Sequence, residues 1–174
     1  MSDANLIERS PVELGDLVRA AQGGSTMAMQ ELLTHLTPYV GRLCGPIALD
    51  DGPDAAQNTL VTVLRDLRHL REPAALHGWV RTIAVREAVR MAQRARRAVP
   101  AELPDLPAPG DPQLAADVRD VLDRLSPEHR AVLVLRDLEG MDEAAAAALL
   151  AIPAGTVKSR LHRARRSFRQ EWER

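Results

Sequence analysis

Thr156, Ser159, Arg160 and Arg163 fall at i, i+3, i+4 and i+7 within the run PAGTVKSRLHRARRSF, Pro153 to Phe168. On a helix this spacing gathers two hydroxyls and two guanidinium groups on one face. Such groups read base edges in a major groove, and arginine can take both acceptors of a guanine at once. Lys158, His162 and Arg166 stand beside that face as candidate phosphate contacts, and Gly155 lets the exposed amides of the helix start approach an anion closely. Val157, Leu161 and Ala164 lie on the opposite side and are expected to pack inward. A solvated basic face on a terminal helix is the plainer account of the same residues. What argues for groove recognition is the element in front of it: Asp142 caps DEAAAAALL, a helix of about two turns. A tight turn at Ala151-Ile152 follows, and Pro153 is expected in the first turn of the last helix. Two short helices with the second one basic make a helix-turn-helix pattern.

Charge placement points the same way. Between Thr156 and Arg174 there are seven basic residues and two acids, and between Arg86 and Arg97 five arginines and one acid. Glu102 to Asp123 holds six acids and one arginine. Two basic patches flanking an acidic connector suit an extended polyanion held at two points. Of the 23 basic residues only Lys158 is a lysine, and base-composition bias accounts for this as well as function does, since alanine is also abundant.

The chain has 174 residues and a formal net charge of −1. Tyr39, Trp79, Phe168 and Trp172 are its aromatic residues, so the core must be built from Ala, Leu and Val, which favours helix. The fold expected is all-α, in two small helical domains. Residues 1–97 form a four-helix unit, 98–113 a flexible acidic Pro-rich linker, and 114–174 the helix-turn-helix unit. The linker carries Pro100, Pro104, Pro107, Pro109 and Pro112. In the first unit Gly23-Gly24 ends one helix and Ser25 caps the next. Asp54 and Gln57 read as a capping box opening a third helix after Pro53, and Leu76, Trp79, Val80 and Ile83 carry a fourth. In the second unit Ser126, Pro127 and Glu128 mark a helix start, and Gly140 its end. No apolar run approaches the about 20 residues of a membrane span, and MSDANLIERS lacks an apolar signal core. A cytoplasmic protein without membrane insertion is expected. Cys44 is the single cysteine, read as a buried thiol with a reactive redox role as the rival reading. His35, His69, His77, His129 and His162 are scattered without metal-ligand spacing, so no metal and no cofactor is expected.

LDRLSPEHRAVLVLRDLEGMDEAAAAALLAIPAGTVKSRLHRARRSFR, Leu122 to Arg169, resembles the promoter-binding C-terminal domain of extracytoplasmic-function (ECF) sigma factors of the sigma-70 family, above all in GTVKSRLHRAR. DLVRAAQGGSTMAMQELLTHLTPYVGRL resembles the opening of their first domain. DGPDAAQNTLVTVLRDL resembles the core-polymerase-binding helix, and HGWVRTIAVREAVRMAQRARR the helix that meets the downstream promoter element. These segments cover most of the chain in the family order.

The resemblance implies a dissociable specificity subunit of bacterial RNA polymerase that binds core enzyme and directs promoter-specific initiation, and not a catalyst. Asp54, Gln57, Asn58, Thr59 and Leu60 match the segment that docks on the largest polymerase subunit, with Asn58 where the family usually has glutamate. Arg68, Arg71, His77, Trp79, Arg81, Arg86 and Arg90 match the surface for the minus-10 element, the first two preceding a loop, Glu72 to Gly78. Trp79 is open between core packing and base stacking. Gly155, Thr156, Lys158, Ser159, Arg160, His162, Arg163 and Arg166 match the surface for the minus-35 element. The family's turn glycine is replaced by Ala151, which costs about 1 kcal/mol if that position is left-handed. Promoter DNA, core RNA polymerase and an anti-sigma factor are the implied partners. The rival reading is a stand-alone helix-turn-helix regulator that does not engage polymerase. An enzyme is a more distant one, since no nucleophile motif accompanies the histidines.

Overall fold

The computed structural model describes residues 11–96 and 112–174, and all regular structure in them is helical. Most of the segment read as a linker lies outside these residues. Four helices form the N-terminal lobe: α1 (Pro11–Gln22), α2 (Thr26–Ala48), α3 (Gly52–Asp66) and α4 (Leu76–Ala95). Four more form the C-terminal lobe: α5 (Pro112–Asp123), α6 (Pro127–Leu133), α7 (Glu143–Leu150) and α8 (Ala154–Trp172).

Local chemistry sets the boundaries. Gly24 takes φ 92 after α1, and the Ser25 hydroxyl then accepts from the Ala28 amide to start α2. The leucine stripe of α2, Leu32, Leu36, Val40 and Leu43, is fully buried, and the helix runs through Pro38 and Pro46 to Ala48. Helix α3 begins earlier than the sequence suggested. Asp51 is its N-cap without a side-chain bond, so Asp54 and Gln57 sit inside the first turns and form no capping box. The early start brings α3 close to α2: a Cβ on Gly52 would lie 2.9 Å from the Gly45 Cα. Ser126 and Asp142 cap α6 and α7 as expected, through the His129 and Ala145 amides. Helix α6 leads into a π-helical segment, Val134–Leu138, which closes at Gly140 with φ 63. Pro153 is the N-cap of α8, one position before the first turn where it was expected.

Buried apolar residues of the two lobes merge into one continuous cluster, from Val18 and Leu32 through Val85 and Ala88 to Val132, Leu135 and Leu161. Polar bonds cross the seam as well. Arg130 is 4% exposed, and its guanidinium donates to the carbonyls of Leu122 and Leu125 in its own lobe and of Ile47 in the other. Those three bonds hold a charge that burial alone would make costly. A groove of about 640 Å³ opens within the C-terminal lobe, lined by Val118, Leu122, Leu133, Leu138, Phe168 and Trp172, and touches the N-terminal lobe only at Pro46.

Cys44 is fully buried, and burial pushes its thiol up to about 11. Thiolate is therefore scarce at neutral pH, which favours the packing reading over a redox role.

Candidate nucleic-acid interface

Helix α8 has the split that its sequence implied. Val157, Leu161 and Ala164 are buried, while Gly155, Lys158, Ser159, His162, Arg163 and Arg166 are exposed and Thr156 and Arg160 are half-buried. The Pro153 carbonyl accepts from the Thr156 and Val157 amides, and the Ser159 hydroxyl donates to the Thr156 carbonyl. Thus Pro153 and the helix backbone fix the start of α8. Among the described residues no ion pair engages Lys158, Arg163 or Arg166, whereas Arg165, off the reading face, is paired with Asp137. Arg160 and Arg163 lie near His129, which burial and these two guanidinium groups hold below the usual histidine range. The turn before α8 places Ala151 at φ 54, ψ 44, the left-handed region. The missing glycine therefore stands where glycine is favoured, and the strain expected from the sequence is present.

The second group lies on α4 and the segment before it. Arg68 and Arg71 are exposed and Arg86 and Arg90 project from α4. Arg90 Nε donates to Glu87 at 2.9 Å, and the Asn58 amide donates to the same carboxylate at 3.0 Å. The bond from Arg90, with that from Asn58, holds Glu87 below the usual carboxylate range against its partial burial. Trp79 is half-buried against the apolar cluster, which supplies the packing role. The loop read as Glu72 to Gly78 is shorter, because a 3-10 turn covers Pro73–Ala75 and α4 begins at Leu76. His77 accordingly sits in the first turn of α4, edge-on to Tyr39 at 5.4 Å and to His35 at 6.0 Å between ring centroids. The ring of His77, matched in the sequence to the minus-10 surface, is therefore half-buried and held against Tyr39.

Arg81 is engaged across the seam. Its Nε lies 2.9 Å from both the Tyr39 hydroxyl and the Glu139 carboxylate, and the Tyr39 hydroxyl in turn donates to Glu139 at 3.1 Å. Arg86 Nε donates to the Leu149 carbonyl of α7 at 3.2 Å, and Gln93 donates to Glu128 of α6 at 2.7 Å. Of these cross-seam partners only Glu128 had a role in the sequence, as a helix start, and none was read as a contact between lobes. Tyr39 and Glu139 are 100 residues apart, and no local pattern links them.

On α3, Asp54, Gln57 and Asn58 are exposed and Leu60 is half-buried. Thr59 is fully buried, with its hydroxyl donating to the Ala55 carbonyl. It supports the helix from inside and is corrected out of the contact set. Val61 and Leu64 extend the exposed side of α3 with apolar surface.

An all-helical protein that ends in a capped helix-turn-helix with a cationic outer face has the architecture of a DNA-binding protein. Residues 115–168 match the family model described as sigma-70, region 4. The chain is 30% identical to the ECF RNA polymerase sigma factor SigE of Mycolicibacterium smegmatis, over 97% of this chain and 71% of that one. It is 31% identical to the ECF RNA polymerase sigma factor SigM of Mycobacterium tuberculosis, over 91% of this chain and 82% of that one. Among solved structures it resembles the sigma factor RpoE in complex with the anti-sigma factor NepR from Bartonella quintana, with a TM-score of 0.66 and 25% identity, covering 83% of this chain and 95% of that one. CnrH, solved in complex with the cytosolic domain of CnrY, shares the fold at a TM-score of 0.63 and 22% identity, over 90% of this chain and 95% of that one. The chain belongs to the ECF sigma factors of the sigma-70 family, and its function is promoter-specific transcription initiation with core RNA polymerase. Among the described residues no helix is long and apolar enough to cross a membrane.

Proposed function

We propose that this chain divides that function between its lobes. Asp54, Gln57, Asn58 and Leu60 of α3 dock on the largest subunit of core polymerase. Arg68, Arg71, Arg81, Arg86 and Arg90 meet the melted minus-10 element, where cations follow the backbone of a single strand, while Trp79 packs against the apolar cluster and His77 against Tyr39. Thr156, Ser159, Arg160 and Arg163 read the minus-35 element in the major groove, with Gly155, Lys158, His162 and Arg166 on phosphates. The segment that precedes α5 joins the two as a linker, Pro112 and Gln113 of the expected 98–113 being the start of that helix, and an anti-sigma factor is the expected regulator, in line with the complexes in which the related RpoE and CnrH were solved. The protein works as a cytoplasmic initiation factor and not as a catalyst.

The observation that carries this reading is the division of α8, apolar on its buried side and cationic on the other, where Lys158, Arg163 and Arg166 have no ion pair among the described residues. Transcription in vitro with core enzyme on a genomic fragment library tests it. Specific start sites are expected, preceded by a shared two-part sequence. In Arg160→Ala those starts should weaken by about 1–3 kcal/mol in promoter affinity, the usual worth of a base-reading arginine. Unchanged transcription by Arg160→Ala would show that this face does not read the promoter.

A further inference from the structure

Arg68 and Arg71 stand on the connection between α3 and α4, which contains two isolated 3-10 turns, Leu67–His69 and Pro73–Ala75. Neither turn has a side-chain cap of its own, and a single 3-10 turn is a weakly held unit. Leu67 and Leu70 are buried while Arg68, His69 and Arg71 are exposed, so the course of this backbone decides where the cations point. Within the first turn the Leu70 amide donates to the Leu67 carbonyl at 3.0 Å.

Further support reaches this turn from α1. The Gln22 side-chain amide donates to the Leu67 carbonyl at 3.0 Å and to the Leu70 carbonyl at 2.7 Å, 45 and 48 residues along the chain. One NH2 group carries two protons and so serves both acceptors. Carbonyls at a helix end are otherwise left to water or to a local cap. Gln22 is half-buried and stands on a firm base as the last residue of α1, whose Val18 and Ala21 are buried. Directly after it the amides of Gly23, Gly24 and Ser25 donate back to the carbonyls of Arg19, Ala21 and Ala20, with Gly24 at φ 92. Helix α1 also packs against the second 3-10 turn.

We propose that Gln22 is a positioning residue for the minus-10 element. By holding the Leu67 and Leu70 carbonyls it fixes the turn from which Arg68 and Arg71 reach the phosphates of the melted strand. The inference rests on the assignment of those two arginines to that element made above. A turn released from Gln22 presents both cations together for only part of the time, and the apparent affinity for the open strand falls by that fraction.

The test uses the full chain with core polymerase on a promoter fragment selected by transcription. Permanganate reactivity of unpaired thymines reads opening at the minus-10 element, and protection of the minus-35 element in the same complexes reads an intact, docked protein. Gln22→Met keeps the length of the side chain and removes both donors. It should lower opening about three- to tenfold at unchanged minus-35 protection, the effect of losing two neutral hydrogen bonds from the competent turn. Gln22→Asn, whose amide is one methylene shorter and does not reach both carbonyls, should fall between that variant and the unaltered chain. Arg68→Ala/Arg71→Ala should reduce opening as well. Adding Gln22→Met to it should change little further, because the turn then has no cations to place.

If Gln22→Met leaves opening unchanged, the inference is overturned; should that variant lose minus-35 protection, Gln22→Asn decides in the same way. It is overturned too if Gln22→Met costs the same factor with and without the two arginines, since Gln22 would then only support the fold. If Arg68→Ala/Arg71→Ala itself leaves opening unchanged, the assignment of those arginines fails and the positioning role goes with it.

Discussion

At the scale of single residues, α8 separates reading from holding. Arg160 is half-buried at the base-facing side, while Lys158 and Arg166 are exposed to its flanks. Arg160→Ala should therefore relax discrimination between promoters. Lys158→Ala should weaken binding nearly equally on all sequences and lower the slope of log affinity against log salt by about one. Salt titration of holoenzyme on a cognate and a scrambled promoter separates the two outcomes. These residues were legible in the sequence because a helical face is a local property, fixed by spacing alone. Thr59 was misread for the same reason: its family segment is local, but its burial depends on Cys44 and Ala55 packing around it.

At the scale of elements, capping and turn chemistry marked most starts and stops, and Ser25, Ser126 and Asp142 cap as their positions implied. The start of α3 escaped because the chain reaches helical geometry two residues before Asp54, and Gly52 is required there by the approach of Gly45. The turn at Ala151 yields a sharp expectation. Ala151→Gly should stabilise the protein by about 1 kcal/mol by relieving the left-handed strain, read as a higher urea midpoint at unchanged slope. A loss of stability would mean that the alanine methyl group is worth more in packing than the strain costs.

At the scale of the whole molecule, the composition and linker prolines indicated two lobes but carried no sign that they would share a core. The contacts between Arg81 and Glu139, and between Arg130 and Ile47, join residues 58 and 83 positions apart or link side chain to backbone, which leaves no periodic trace. That seam predicts a pH dependence. Burial first, then His35 and Arg81, hold His77 below the usual histidine range, while Glu139 opposes them. The folded chain then binds fewer protons than the unfolded one as pH falls below about 6.5, so stability should decline from there and level off once folded His77 is itself protonated. Urea midpoints at pH 7.5 and 5.5 should differ in that direction, and His77→Gln should reduce the difference. A remainder is expected from His129, which is lowered for similar reasons.

The central claim is that this chain recognises a promoter in two places together with core polymerase. Footprinting the full chain on a fragment selected by transcription, with and without core enzyme, tests it most directly. The account predicts protection of both the minus-35 and minus-10 elements, with unpaired bases at the second, only when core polymerase is present. The same protection by the chain alone would contradict it and would identify a regulator that binds DNA without polymerase.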